Sequence, residues 1–303
     1  MINKLLVTLS LIVIPLVAIS QQTKKETFRL FFLGGQSNME GHGLNSELPD
    51  SLRAEFKNVW IFNGFPAADE DKNGGLGKWE KLKSGNGAGF FSDGKNNKLS
   101  AKFGIELSFA KRLQELYPND KIALIKYARG GSSIDSSAAR EYGSWEFDYK
   151  GIAGMNQFDH FLTTVNGALQ SRDIDGNGVE DELIPQGIIW MQGESDAITE
   201  PVALRYYDNL KRLMDLIRAT FRINDLPVVI GKISDSGLDN NGKTWPYGEQ
   251  VQYAQEKYVK TDRKAAIVRS TMFYKYSDPW HYDSTGYIDL GKKFAEAVFQ
   301  INK

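Results

Sequence analysis

Short, nearly continuous apolar runs recur along the chain, separated by segments in which apolar residues return with a helical period. The runs cover residues 28–33, 122–127, 187–191, 227–233 and 265–268. Uninterrupted apolar runs of this length are typical of strands buried on both faces, as in a parallel sheet. The pattern therefore predicts about five buried strands.

Helical periodicity fills two of the intervals between these runs and the segment after the last run. Apolar residues share one helical face in the sets Ile105, Phe109, Leu113 and Leu116; Tyr207, Leu210, Met214 and Ile217; and Leu290, Phe294 and Val298. Ser284 is placed to cap the last of these helices. Because strand and helix alternate about five times, we predict a flavodoxin-like three-layer α/β/α sandwich with a central parallel sheet of about five strands.

Two long segments fall outside this alternation, residues 38–99 and residues 129–157. Each follows a predicted strand at its carboxyl end, where α/β proteins bind their ligands. Both are predicted to be loops that build a substrate pocket, with a solvated excursion as the alternative for much of 64–97. The sequence contains no internal repeat and no low-complexity linker, so we expect residues 21–303 to form a single domain.

Residues 1–20 have the pattern of a secretory signal peptide. Lys4 precedes an apolar stretch over 5–19, and Ala18-Ile19-Ser20 offers small residues for cleavage. A retained membrane anchor is the alternative, but the stretch is short for a membrane span. The chain has no cysteine, which excludes disulfides, cysteine metal ligands and a lipid-modified N-terminal cysteine. We therefore predict a secreted or periplasmic protein that does not bind the membrane after signal cleavage.

Composition and charge narrow the class of partner. Hydrophobic residues make up 41% of the chain and charged residues 25%, values that are ordinary for a globular protein. The formal net charge is -1. A nearly neutral chain lacks the basic surface that binds nucleic acid or anionic membranes. A small neutral substrate or a neutral polymer is the better expectation.

The first candidate for chemistry is Ser37, in the segment Gly34-Gly35-Gln36-Ser37-Asn38-Met39, which directly follows the first apolar run. Two glycines allow a sharp turn from strand to helix and leave the next side chain exposed above the carboxyl edge of the sheet. This is how many α/β enzymes present a nucleophile. A plain strand-to-helix turn with Ser37 as the N-cap is the alternative.

A serine nucleophile needs a base, and the chain has only 3 histidines. His281 lies just before the last predicted helix, where a loop can place it over the strand ends. Asp278, three residues earlier, can fold back and hold the imidazole in the tautomer that accepts the serine proton. His160 lies in a helical stretch and is expected to be a packing or surface residue, and His42 is expected to form part of the pocket wall.

A third apolar run leads into the polar residues Gln192, Gly193 and Glu194. Attack on an ester creates an oxyanion, which needs positioned hydrogen-bond donors. We predict three such donors: the Ser37 amide, a glycine amide in Gly130-Gly131, and the side-chain amide of Gln192. The alternatives are a polar helix start after a buried strand and a tight glycine turn that requires positive φ.

Four blocks of this sequence resemble the SGNH hydrolases, and within them carbohydrate esterase family 6 and the sialate O-acetylesterase-like domain. The blocks are Gly35-Gln36-Ser37-Asn38-Met39, Gly130-Gly131-Ser132, Trp190-Met191-Gln192-Gly193-Glu194-Ser195-Asp196 and Asp278-Pro279-Trp280-His281. They occur in the family's order and span nearly the whole chain after the signal peptide. Many family members carry His where this chain has Met191, and Gln192 stands where many SGNH relatives have Asn.

The resemblance implies a three-layer α/β/α fold and deacetylation of sugars without a metal or other cofactor. It also implies Ser37 as the nucleophile, His281 as the base and an oxyanion hole from Ser37, a glycine of the second block and Gln192. Family members differ in the acid that orients the base. We assign that role to Asp278 and keep Glu194 as the alternative.

Several other residues are candidates for binding. Gln36 and Asn38 flank the serine and are assigned to substrate binding, together with Trp145 and Trp280, whose flat faces could stack on sugar rings. Residues 173–181 resemble the start of a calcium loop, with the candidate ligands Asp173, Asp175, Asn177 and Asp181. Because Ile184 stands where a calcium loop has its closing Glu, a solvated acidic turn is the favoured interpretation and any calcium would be structural.

These observations predict an exported carbohydrate O-acetylesterase that acts on acetylated xylan or xylo-oligosaccharides. O-acetylated sialic acid is the alternative substrate within the family. A noncatalytic carbohydrate-binding relative of the esterase fold is the alternative from another class, and a lipase or thioesterase is a further rival that would prefer long acyl chains.

Overall fold

A seven-stranded sheet runs through the computed structural model, which describes residues 24–151 and 154–303. The predicted signal peptide lies outside the described residues. The strands are β1 (Thr27–Gly35), β2 (Gly43–Leu44), β3 (Val59–Asn63), β4 (Trp79–Lys81), β5 (Phe91–Ser92), β6 (Asn97–Lys98), β7 (Lys102–Phe103), β8 (Lys121–Ala128), β9 (Glu182–Met191), β10 (Val228–Gly231) and β11 (Ala265–Val268). The α-helices are α1 (Ser37–Glu40), α2 (Asp50–Arg53), α3 (Glu106–Leu116), α4 (Gln157–Gln170), α5 (Glu200–Phe221), α6 (Gly248–Thr261) and α7 (Ser284–Ile301).

The main sheet has the strand order β11-β10-β9-β1-β8-β3-β4. All neighbouring pairs are parallel except β3 and β4, which are antiparallel at one edge. The parallel sheet is as predicted, and all five predicted strands are present. Two further strands, β3 and β4, arise from the segment 38–99, so the prediction that this whole segment is loop was wrong. Strand β3 is a short buried run flanked by polar residues, so the apolar pattern of the sequence did not reveal it.

Helices cover both faces of the sheet. Alternate residues of a strand point to opposite sides, and because both sets are apolar here, each face needs a helical layer to bury it. On β1, the Phe31 ring packs edge-on against Phe109 of α3. The neighbouring Phe32 ring packs against Phe161 of α4 and Phe221 of α5. Helix α7 packs on α3, and α6 packs on α5, which completes the two helical layers. No helix in the described part of the chain combines the length and apolar content needed to cross a membrane.

The last helix begins differently from the prediction. Its N-cap is Asp283, whose carboxylate accepts a hydrogen bond from the Gly286 amide, whereas Ser284 was the predicted cap. The Ser284 hydroxyl instead accepts from the Leu44 amide and donates to Glu47. Ser284 therefore ties the beginning of α7 to β2 and the turn that follows it.

The strand order places a crevice at the carboxyl end of β1. The chain moves from β1 to β3 and β8 on one side, and then to β9, β10 and β11 on the other. Ligands of open α/β sheets bind where the strand order reverses in this way. Gly35, the last residue of β1, is in register with Ala128 of β8 and Met191 of β9. Three strands thus end at one level and present their following residues to the same crevice.

A buried ion pair supports this end of the sheet. Lys126 on β8 and Glu106 on α3 are 2.9 Å apart, with side-chain exposures of 1% and 0%. The Lys126 ammonium also donates to the carbonyls of Glu40 and Asn86, and Glu106 accepts from the Gly104 amide. The ammonium therefore joins the end of α1, the loop at residue 86 and helix α3 through three hydrogen bonds.

Lys126→Met leaves the Glu106 carboxylate buried without a counter-charge. We expect the free energy of unfolding, measured by urea denaturation, to fall by about 3–5 kcal/mol. Adding Glu106→Leu should recover much of this loss, because the unpaired charge is then removed as well. Lys211→Met, which breaks an exposed pair with Asp215, is the control and should change stability by less than about 0.5 kcal/mol. A loss below about 1 kcal/mol for Lys126→Met would contradict the structural role.

Candidate active site

The Ser37 turn depends on a close approach between β1 and β9. Gly35 has φ +146°, and a Cβ atom at this position would lie 2.0 Å from the Met191 carbonyl oxygen. Only glycine fits, and the Gln36 amide then donates to the same carbonyl. Ser37 follows as the first residue of α1. Its amide lies in the first turn of a helix, where N–H groups have no intrahelical acceptor.

The His281 ring is held by an acid three residues earlier in the chain. Asp278 Oδ2 lies 2.7 Å from Nδ1 of the imidazole, and Asp278 Oδ1 accepts from the amides of Trp280 and His281. Burial alone would raise the pKa of Asp278, but the hydrogen bonds from the His281 ring and the Trp280 amide outweigh it and lower that pKa. Asp278 is therefore ionised at neutral pH and leaves Nε2 as the ring nitrogen for proton transfer.

Glu194, the alternative acid, lies in a different place. Its Oε1 accepts a hydrogen bond from the Asn38 side chain at 2.8 Å. Its Oε2 is buried and has no hydrogen-bond partner among the described residues. Burial raises the pKa of Glu194, against the lowering effect of the Asn38 hydrogen bond. The geometry therefore places Asp278, and not Glu194, on the imidazole.

The Asn38 side chain connects the serine turn to the His281 loop. Its Nδ2 donates to Glu194 and, at 3.2 Å, to the Trp280 carbonyl. Its Oδ1 accepts from the Tyr282 amide and from the Tyr287 hydroxyl. Asn38 is 1% exposed, so it has neither a free donor nor an open face for a sugar. This corrects its assignment to substrate binding and explains how the Ser37 turn and the His281 loop are held together.

Gln36 also has a structural position. It is buried, and its side-chain oxygen accepts hydrogen bonds from the amides of Gly193 and Ser195. These bonds join the first turn of the site to the third block. The assignment of Gln36 to substrate binding is therefore corrected in the same way as that of Asn38.

The predicted oxyanion donors fall into two groups. The amides of Ser37 and Gly131 have no acceptor in the part of the chain that the structure describes. The Gly130 amide donates to the Glu40 carboxylate at 2.7 Å. The Gln192 side chain donates to Asp196 at 2.5 Å, and it also donates to a backbone carbonyl at 3.3 Å. The engaged side chain of Gln192 corrects its predicted role, and of the two predicted glycines only Gly131 has a free amide. Ser37 and Gly131 are left as available donors.

The two tryptophans assigned to substrate binding differ in exposure. Trp280 is 52% exposed and lies beside His281, with ring centroids 6.4 Å apart. Trp145 is 1% exposed and packs edge-on against Trp190 and Tyr127. A buried ring has no face to offer a sugar, so Trp145 belongs to the core under the site. Trp280 keeps the position that the prediction requires.

Three polar residues have contacts that the sequence did not reveal. Glu40 binds the Gly130 amide, and burial raises the pKa of its carboxyl group. Asp196 accepts hydrogen bonds from two backbone amides, and burial raises its pKa to about 7. His42, predicted in the pocket wall, stacks on the His281 ring. Glu40 directly follows the first block and Asp196 is the last residue of the third, but their backbone partners are distant in sequence, so no local pattern predicts these contacts.

The candidate calcium loop contains a cluster of acidic groups. Carboxylate oxygens of Asp173, Asp175 and Asp181 lie within 4.8 Å of one another. However, the Lys121 ammonium lies 2.9 Å from Asp175. Asp181 accepts from two backbone amides, and the Asn177 side chain accepts from the amide two residues later. Asp173 accepts from the Gly178 amide, so each of the four candidate side chains already has a hydrogen-bond or ion-pair partner.

A comparison with known protein families finds one match. The sequence model of a family described as carbohydrate esterase, sialic acid-specific acetylesterase, matches residues 27–300. No curated protein matches the chain in sequence.

Solved structures show the same fold at low sequence identity. A protein from Arabidopsis thaliana is similar at 18% identity and a TM-score of 0.65, over 92% of this chain and all of that one. A carbohydrate acetylesterase from Xanthomonas citri is similar at 17% identity and a TM-score of 0.58, over 90% of this chain and 56% of that one. NanS is similar at 16% identity and a TM-score of 0.59, over 92% of this chain and 98% of that one. At these identities the likeness concerns the fold alone.

The position of the two acids predicts different effects of removing their charge. Asp278→Asn should lower kcat for an acetate ester by about 10²–10⁴-fold, because the amide cannot hold the same imidazole tautomer. Glu194→Gln can still accept the hydrogen bond from Asn38, so we expect a change in kcat of less than about tenfold. Thermal melting should show that both variants are folded. Equal losses in the two variants, or a larger loss in Glu194→Gln, would contradict this assignment.

The thermal stability of the protein should not depend on calcium bound at the acidic loop. Because Lys121 neutralises Asp175, adding about 1 mM calcium or an excess of EDTA should shift the melting temperature by less than about 1 °C. A calcium-dependent rise of several degrees that is lost in Asp173→Asn would instead support a structural metal site.

Proposed function

Because the chain belongs to the family of carbohydrate esterases described as sialic acid-specific acetylesterases, we propose that it is an exported carbohydrate O-acetylesterase. Family membership makes it a carboxylic ester hydrolase, and its partner is an acetylated carbohydrate. The hydrogen bonds of the Asn38 side-chain amide are the main observation that supports the proposed mechanism. Asn38 directly follows Ser37 in the chain, and it hydrogen-bonds to the residues on both sides of His281.

In the proposed reaction, the Ser37 hydroxyl oxygen attacks the acetyl carbonyl carbon while His281 Nε2 takes the hydroxyl proton. The amides of Ser37 and Gly131 donate to the negative oxygen of the tetrahedral intermediate. The bond to the sugar oxygen then breaks, and His281 returns its proton to the departing alcohol. Asp278 keeps the imidazole oriented and stabilises its positive charge between these two transfers.

Deacylation repeats the same steps with water. A water molecule gives a proton to His281 and attacks the acetyl-serine, and acetate leaves as the Ser37 oxygen recovers that proton. Every bond change is carried out by groups of the chain and by water. We accordingly propose no metal or other cofactor for the reaction, in keeping with the expectation from the sequence.

The Ser37 hydroxyl has no hydrogen-bond partner within residues 24–151 and 154–303. Catalytic hydrogen bonds are often longer in a substrate-free enzyme than in the complex. Gly130 lies against the serine, since a Cβ atom there would be 3.4 Å from Ser37 Cβ. Because the second block has glycine and no side chain at position 130, it leaves room beside the nucleophile for an acyl group.

For the substrate, we propose acetylated xylan or xylo-oligosaccharides. The exposed Trp280 ring beside His281 offers a flat apolar face, which suits the face of a neutral sugar ring. O-acetylated sialic acid is the second candidate, and the description of the matching family favours it. Export is supported by the signal-peptide pattern of residues 1–20.

The proposed function predicts acetate release that depends on Ser37. The mature protein should release acetate from acetylated xylan, and Ser37→Ala should lower the rate by at least about 10³-fold. Ser46→Ala, at an exposed serine, is the matched control and should retain the rate of the parent. Parallel assays with O-acetylated sialic acid decide between the two substrates.

Esters of p-nitrophenol test the reaction class. A sugar deacetylase should prefer the acetate to long-chain esters, whereas a lipase or thioesterase should prefer the long chains. Absence of activity on both sugars and on the acetate ester would overturn the esterase proposal and favour a noncatalytic carbohydrate-binding relative.

A further inference from the structure

The proposed general base is stacked face to face on a second histidine. The rings of His42 and His281 have centroids 3.6 Å apart and planes that differ by 7°. The side chain of His281 is 14% exposed. One face of the base is therefore covered by another imidazole, which lies four residues after Asn38 of the nucleophile turn in the chain.

A two-stranded ribbon holds His42 in this position. His42 directly precedes β2, which pairs with β7 in the register Gly43 to Phe103. Gly41 has φ +98°, and a Cβ atom there would lie 2.2 Å from the Gly104 Cα. A Cβ atom on Gly43 would meet the Phe103 ring at 2.7 Å. The two glycines let the backbone on each side of His42 lie directly against the β7 segment, which limits where the ring can go.

A lysine on the same ribbon fixes the tautomer of the His42 ring. The Lys102 ammonium lies 3.2 Å from His42 Nδ1. An ammonium can only donate, so Nδ1 must carry the lone pair and the ring proton must be on Nε2. Burial, His281 and Lys102 together lower the pKa of His42 to about 3, against the opposing effect of Asp278. His42 is therefore neutral, and the proton from the nucleophile has His281 as its acceptor.

We propose that His42 is a positioning residue that fixes the plane of the His281 ring. The hydrogen bond from Nδ1 to Asp278 holds one atom of the imidazole but still allows the ring to tilt about that bond. Stacking on His42 removes the tilt and so fixes the direction in which Nε2 points. This inference rests on the proposed function, because it gives His281 the role of general base.

The test compares His42→Ala with His42→Phe. Loss of the ring should lower kcat for an acetate ester by about 10- to 100-fold, because a misplaced base loses rate steeply with small displacements. KM should change by less than about threefold, since His42 acts on the base and not on the bound sugar. Phenylalanine restores a flat ring, so His42→Phe should retain kcat within about fivefold of the parent.

Three results would overturn the positioning role. The first is a His42→Ala enzyme with kcat within about twofold of the parent. The second is an equal loss of kcat in both variants at an unchanged melting temperature. The third is a loss that falls mainly on KM. Melting temperatures of all variants show whether any loss comes from unfolding.

A measurement without turnover separates this inference from the proposed function. If the parent protein releases no acetate from any ester, the proposed function fails, but the stack can still be tested by nuclear magnetic resonance of the His281 ring protons. Removing the ring of His42 should shift these signals, and Phe at the same position should restore a ring-current shift. Unchanged His281 signals in His42→Ala would overturn the stack itself.

Discussion

The proposed active site depends on the four hydrogen bonds of one buried amide. Asn38 donates to Glu194 and to the Trp280 carbonyl, and it accepts from Tyr282 and Tyr287. These partners lie on the segment after β9, on the His281 loop and on α7. Each such bond contributes only about 1 kcal/mol, but a buried group left without its partner costs more. The chain segments of the proposed catalytic residues are therefore held together by a side chain that is itself hidden from substrate.

Other polar residues of the site also hold chain segments together and do not take part in the proposed reaction. Gln36 binds two amides of the third block, Gln192 binds Asp196, and the Glu40 carboxylate binds the Gly130 amide. Gln36 directly precedes Ser37, and Gly130 directly precedes Gly131, the two residues with proposed oxyanion donors. Polar residues beside a nucleophile can thus serve the framework of the site, while the reaction uses a smaller set.

The parts of the fold that were predictable have local signals. Buried parallel strands give continuous apolar runs, and the spacing of Asp278 and His281 allowed their contact to be predicted. Strand β3 is a similar run, but its polar surroundings concealed it, and β4 is a short antiparallel edge strand. The stack of His42 on His281 and the engaged donors of Gln192 and Gly130 depend on contacts between distant segments. No local pattern of one sequence carries that information.

The chain from β2 to α3, which begins just after the Ser37 turn and His42, forms one wall of the site and one edge of the sheet. It includes β2, β3, β4 and β7, and the Lys126 ammonium anchors it through the Asn86 carbonyl. The proposed acid and base, in contrast, come from the far end of the chain, just before α7. Changes in the length or sequence of this wall can therefore alter which carbohydrate enters the crevice while the bond-breaking groups stay in place. The architecture thus places this wall of the crevice and the proposed acid and base on different segments of the chain.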